Sequence, residues 1–177
     1  MVTDNGLKKF RRTGTHYDLA MEAARHIMKI NFLIKHRDER DVEHHLVSSL
    51  EAYRKLKPHL ITQINKEQPV VMTRAELFGF RHSPDVAIGD DGTAIELKLI
   101  KGSQSVRELL GQAMCCKVNY RYVILVLVSP EPSADFIGLC SQKRSHEHKL
   151  LNALASDFGI YSVVGPTPGG KNLSFGF

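Results

Sequence analysis

An α/β fold is expected for this chain of 177 residues, on three observations. Arg81 to Lys101 (RHSPDVAIGDDGTAIELKLIK) alternates apolar and polar residues on both sides of an Asp91-Gly92 turn signal, the pattern of a β-hairpin. Tyr122 to Val128 (YVILVLV) is a near-continuous β-branched run, as in a central strand covered on both faces. Around these lie stretches whose apolar residues recur at helical spacing. Strands alternating with helices, in a chain long enough for one core, make a central mixed sheet flanked by helices the expected architecture.

Taken in order, residues 1–14 are polar and basic, with Lys8, Lys9, Arg11 and Arg12 clustered. They read equally as a solvated terminus or as an arm contacting phosphate. From about Asp18 to Ile34, the positions Leu19, Ala23, Ile27, Ile30 and Ile34 form a helical stripe, which could pack on the core or on a second subunit. A charged joint, Lys35 to Asp41, leads to a helix over about residues 39–57 with Val42, Leu46, Leu50 and Tyr53 as its stripe. Pro58 closes it, and Glu39 and Glu43 sit at the edge of the stripe. Val70 to Phe80 reads as the first strand, with Val71, Thr73, Ala75 and Leu77 on one side. After the hairpin, Gly102-Ser103 opens a helix of about residues 104–119, buried through Val106, Leu109, Leu110, Ala113 and Met114. Ser129-Pro130-Glu131-Pro132 is a loop. A helix of about residues 144–158 follows, with Leu150, Leu151, Leu154 and Phe158 as its apolar positions and Gly159 suited to its end. Ile160 to Val164 is the last strand. The chain therefore divides into a basic arm with an added helix (1–38), a core domain (39–165) and a Gly/Pro-rich tail (166–177).

The hairpin register follows from its apolar pattern. An even loop, either Asp91-Gly92 or Gly89 to Gly92, puts Asp85 on one face with Glu96 and Lys98. Val86, Ile88, Ile95, Leu97 and Leu99 then share the other face. An odd loop would place Asp85 among those aliphatics, where an unpaired carboxylate is costly. Cross-strand neighbours lie within about 5–8 Å, so the two carboxylates repel and Lys98 offsets them only in part. A hard divalent cation such as Mg²⁺ would relieve that repulsion.

Charge and cysteine usage bound the function. The formal charge of +5 suits a polyanionic partner. Three cysteines, two of them vicinal (Cys115-Cys116), make no disulfide framework, and a reducing cytoplasm is expected. The N-terminal residues hold no apolar core of signal-peptide length, and the longest apolar run is far short of a membrane span. His44-His45, His146-x-His148 and Cys115-Cys116 lack the two-plus-two spacing of a structural zinc site. Lys143, Arg144, His146 and His148 read as a basic helix start facing solvent or phosphate.

Pro84-Asp85 followed by Glu96-Leu97-Lys98 on the next strand resembles the motif of the PD-(D/E)xK nuclease superfamily, the restriction-endonuclease-like fold. The expected element order from residue 39 onward, αβββαβαβ, is that superfamily's core order. At residue level only the hairpin motif matches. The resemblance implies a Mg²⁺-dependent endonuclease (Mn²⁺ substituting) that hydrolyses DNA, with RNA also compatible and a homodimer natural for a two-stranded substrate. It implies that Asp85, Glu96 and the backbone carbonyl of Leu97 hold the metal, and that Lys98 positions or helps deprotonate the attacking water. In the resolvase-like branch a first-helix glutamate reaches the metal; Glu43 takes the matching position, with Glu39 as the alternative. Several branches use a Gln-xxx-Tyr pair near the site; Gln112 stands at the glutamine, while Cys116 departs from the pattern at the tyrosine. A nucleic-acid-binding or scaffolding protein of the same fold without catalysis is the rival expectation.

Overall fold

The computed structural model describes residues 7–32, 38–62, 72–131 and 134–176. Within them the chain runs α1 (Thr15–Ile27), α2 (Glu39–Ala52), β1 (Leu60–Thr62), β2 (Ala75–Leu77), β3 (Phe80–His82), β4 (Val86–Ile88), β5 (Thr93–Leu99), α3 (Ser103–Lys117), β6 (Tyr122–Val128), α4 (Asp135–Ser141), α5 (His146–Phe158), β7 (Ile160–Gly165) and β8 (Leu173–Phe175). Helix starts follow local chemistry. The Asp38 carboxylate accepts the Asp41 N–H at 2.9 Å ahead of α2, and the Ser145 hydroxyl accepts the His148 N–H at 3.0 Å ahead of α5. Gly159 ends α5 with φ 66°, the left-handed cap that glycine adopts without strain. No helix among the described residues is long and apolar enough to cross a membrane.

A six-stranded mixed sheet in the order β1-β4-β5-β6-β7-β8 forms the centre. β1, β4 and β5 pair antiparallel, β5, β6 and β7 pair parallel, and β8 closes the far edge antiparallel. Every residue of β6 is buried, as a strand covered on both faces requires. One face carries Val86, Ile88, Ile95, Leu97, Leu99 and Ile124 against α1 and α2; Ala23, Ile27, Leu46 and Leu50 pack there with no exposure. Each such aliphatic contributes about 1.5–3 kcal/mol. The other face carries Ala87, Ala94, Val123 and Leu125 against α3 and α5 through Leu109, Ala113, Cys116 and Leu151. The N-terminal helix therefore packs on the core of its own chain.

Several expectations need correction. The first strand of the sheet is Leu60–Thr62 and not Val70–Phe80. Three residues are too short a run to show a period. Val70 and Val71 lie outside the described residues, as do Ile34 and residues 35–37 of the joint. Ala75–Leu77 does form a strand, but the chain reverses at Phe78-Gly79 and pairs it with Phe80–His82 in a separate two-stranded ribbon. The tail contributes β8, with Phe175 buried against the α5 side. α4 lies between the expected loop at residues 129–132 and the expected helix at about 144–158, in a stretch given no element from the sequence. In the arm, Lys8 pairs with Asp91 at 2.8 Å, and Phe10 packs on the Gly159 and Tyr122 region at the N-terminal ends of the parallel strands. His148 faces inward, its Nδ1 2.8 Å from the Cys140 carbonyl and its ring against Phe175.

Candidate active site

The β4–β5 register pairs Val86 with Ile95, Ala87 with Ala94 and Ile88 with Thr93, leaving the four-residue loop Gly89 to Gly92. This is the even-loop alternative, and the positive φ it needs falls at Gly89 (69°). Gly92 is required for another reason, since a Cβ there would lie 2.5 Å from the Ile88 carbonyl oxygen. The same register carried one residue back sets Asp85 opposite Glu96, so the two carboxylates share a face with Lys98. The aliphatics occupy the reverse face, as expected.

A mismatch in strand length shapes the site. β5 is seven residues long and β4 only three, so the last residues of β5 have no antiparallel partner on that edge. Carboxylates take its place. Asp85 Oδ2 accepts the Leu97 N–H at 2.7 Å, and Glu39 Oε2 accepts the Leu99 N–H at 3.1 Å. The N–H and C=O of one strand residue point to the same edge, so the Leu97 carbonyl also faces the notch beside Asp85. That is the placement a carbonyl ligand requires.

Burial sets the electrostatics. Glu96 is 2% exposed, and its Oε1 accepts the Cys116 thiol at 3.0 Å. Burial pushes its carboxyl up to about 8, the Asp85 charge adds to the rise, and the Cys116 thiol opposes it. Burial likewise raises Asp85 to about 6 against the pull of the Leu97 N–H, with Glu43 and Glu39 adding repulsion. Glu43 is itself raised, chiefly by burial. Lys98 Nζ sits 3.0 Å from Glu39 Oε1 and 3.7 Å from Glu108 Oε2; the Glu39 hydrogen bond raises its pKa and keeps it an ammonium. Lys98 is thus suited to orient water or phosphate oxygen, and not to accept a proton.

Both helix glutamates face the site, in different ways. Glu39 makes the direct contacts, to Lys98 and to β5, while Glu43 acts on Asp85 and Glu96 through its charge. On α3, Glu108 reaches Lys98 and Cys116 reaches Glu96. Gln112 lies midway on this i, i+4, i+8 row, exposed and with no hydrogen bond among the described residues. Glu108 and the Cys116 thiol were not anticipated from the sequence; their spacing from Gln112 is the signal that would have found them.

No three His, Cys, Asp or Glu side chains among the described residues converge into a metal cage. The donor set is therefore two carboxylates and a carbonyl, each carboxylate with one oxygen accepting no hydrogen bond among the described residues. That set fits Mg²⁺, which keeps several waters and takes one or two carboxylates, and not a zinc site. An apolar cavity lies elsewhere, with a volume of about 790 Å³ between α3, α4 and α5 and walls mainly from Leu109, Leu127, Phe136 and Leu150. It includes none of Asp85, Glu96 and Lys98, so the chemistry points to the notch instead. Comparison with protein-family models, with curated proteins and with solved structures finds no match to this chain.

Proposed function

We propose that this chain is a divalent-cation-dependent endonuclease that hydrolyses DNA phosphodiester bonds, of the PD-(D/E)xK, restriction-endonuclease-like kind. The observation that carries the proposal is the pairing of half-buried Asp85 with buried Glu96, mutually repelling, next to the charged Lys98 where β4 begins. The order within the central sheet supports it: α2, β1, β4, β5, α3, β6, α5 and β7 follow one another as αβββαβαβ, with the β2–β3 ribbon and α4 as additions. Asp85, Glu96 and the Leu97 carbonyl would hold Mg²⁺, which when bound supplies positive charge at the phosphate oxygens. Lys98 donates hydrogen bonds to the attacking water or to a non-bridging oxygen. Glu39 holds Lys98 in place, Glu43 adds negative charge that strengthens cation affinity, and Gln112 is placed to bond a phosphate or water at the open side. Two such sites in a symmetric dimer would address the two strands of a duplex.

The test is nicking of plasmid, branched and single-stranded DNA in Mg²⁺ or Mn²⁺ by wild type, Asp85→Ala and Lys98→Ala. Loss of general acid–base or positioning groups costs about 10²–10⁴-fold, so both variants should fall at least a hundredfold. Activity unchanged in both would refute the proposal.

A second reading has its own observation. Asp85 and Glu39 each cap an N–H of β5, which is a structural duty and needs no metal. A DNA-binding scaffold of this fold would bind with steep salt dependence and no metal-dependent cleavage.

A further inference from the structure

The β2–β3 ribbon breaks a local rule at its tip. Leu77 faces Phe80 across the pair, so the turn is the two residues Phe78-Gly79. The φ angle is positive at both, 55° at Phe78 and 79° at Gly79. Turns with this signature are ordinarily Asn-Gly or Asp-Gly, because a short polar side chain tolerates the left-handed region. A phenylalanine there is strained, and packing does not compensate it. Phe78 is 92% exposed and Phe80 70%, the two most exposed large apolar side chains among the described residues. When a sequence violates turn chemistry and burial together, a functional demand is the expected reason.

The ribbon is braced at its base, and its second strand leads directly into the candidate site. Tyr120 Oη donates to the Thr73 carbonyl at 2.9 Å, and Asn119 Nδ2 donates to the Arg74 carbonyl at 2.9 Å, tying the ribbon to the end of α3. Arg74 and Arg81 are exposed on the ribbon, Arg81 3.1 Å from Glu76. β3 runs through Ser83-Pro84 into Asp85, seven residues after Phe78, a span of at most about 25 Å.

We infer that Phe78 and Phe80 form a stacking tip for unpaired nucleobases of a DNA strand whose backbone crosses the carboxylate notch. The inference rests on the nuclease reading and deepens it, by naming the substrate as forked or branched DNA in preference to uniform duplex. Aromatic rings take up bases of any sequence through their π faces, and a ring pair on a narrow ribbon suits a splayed base step. Arg74 and Arg81 supply the positive charge that flanking phosphates require.

The experiment measures fluorescence anisotropy of the full chain in Mg²⁺, in an Asp85→Asn background so that binding is read without cleavage. The probes are a labelled fork with single-stranded arms and a perfect duplex of the same sequence. Stacking of one base corresponds to about 5- to 150-fold in affinity, so Phe78→Ala/Phe80→Ala should weaken the fork complex by at least that factor. The duplex complex should change by less than about twofold, and Phe78→Trp/Phe80→Trp should retain fork binding. Phe78→Asn should weaken the fork complex while raising Tm by about 2–4 °C, since it relieves the turn. Fork affinity unaffected by the alanine pair, an equal loss on fork and duplex, or no fork binding at all would overturn the inference. So would a tip that alters only self-association in sedimentation. Absence of cleavage by wild type, with tip-dependent fork binding intact, would remove the nuclease reading alone.

Discussion

Glu96→Gln probes the electrostatics of the site independently of activity. Burial and the Asp85 charge push Glu96 to about 8 from the ordinary 4.5 of a glutamate. An acid with a raised folded pKa holds its proton more tightly folded than unfolded. Its contribution to stability is therefore complete below about pH 4.5 and is lost as pH rises through about 8. At about 1.4 kcal/mol per unit, the loss in metal-free protein is on the order of 3 kcal/mol at pH 7 and 5 kcal/mol by pH 9. Asp85 adds a loss of the same sign between 3.8 and about 6, and the two titrate as a linked pair. For a chain of this size 1 kcal/mol moves Tm by about 2–4 °C, so wild type in EDTA should drop by roughly 10 °C or more between about pH 5 and pH 9. Glu96→Gln removes the larger part of that dependence, leaving the window below about pH 6 due to Asp85. On the proposed function Mg²⁺ would bind the ionised pair, so its stabilisation of wild type should grow with pH and be small in Glu96→Gln. Circular-dichroism melts across this range, with and without about 10 mM MgCl₂, measure both effects. Parallel wild-type and Glu96→Gln curves in EDTA would refute the reasoning.

Three further outcomes follow from the same contacts. Glu43→Gln removes a charge that raises both Asp85 and Glu96, so the pH midpoint of the metal-free melts should shift downward and Mg²⁺ affinity should weaken. Cys116→Ala leaves a buried carboxylate oxygen without its donor and should cost about 1–3 kcal/mol in urea titration, while Cys116→Ser keeps a donor and most of the stability. Gly159→Ala meets both a left-handed backbone and the Phe10 ring, whose Cγ would lie 2.7 Å from the new Cβ; a loss of more than about 1 kcal/mol in the urea midpoint is expected.

The alternation of aliphatics in the hairpin made the site's geometry readable, because one slip in register would have buried Asp85 among Val86, Ile88 and Ile95. β6 was readable from its unbroken run, and α2, α3 and α5 from their stripes, although Met114, expected in the buried stripe of α3, is exposed and Cys116 is buried instead. Short elements were not. Leu60–Thr62 and Leu173–Phe175 gain strand character from neighbours in the sheet, which three residues cannot announce. The Val70–Phe80 alternation misled because Phe78-Gly79, a poor turn sequence by composition, nonetheless turns. Glu39 and Glu43 could not be ranked from the helix alone. The choice depends on how far β5 outruns β4, and that length difference is a tertiary fact.

The charge inventory of the notch is what favours a cation there. Five carboxylates, Glu39, Glu43, Asp85, Glu96 and Glu108, surround one ammonium, Lys98. Fully ionised, that cluster would repel a phosphodiester and destabilise its own strand ends. Protonation of Glu96, raised to about 8, relieves the fold near neutrality, while Asp85, raised to about 6, is then ionised. In that state Asp85 is charged and Lys98 is engaged by Glu39 and Glu108, which leaves no net attraction for a phosphate. A divalent cation held there, as proposed, would permit ionisation without repulsion and would turn a surface hostile to phosphate into one that attracts it. On the proposed function, an incoming phosphate would compete with Glu39 and Glu108 for Lys98.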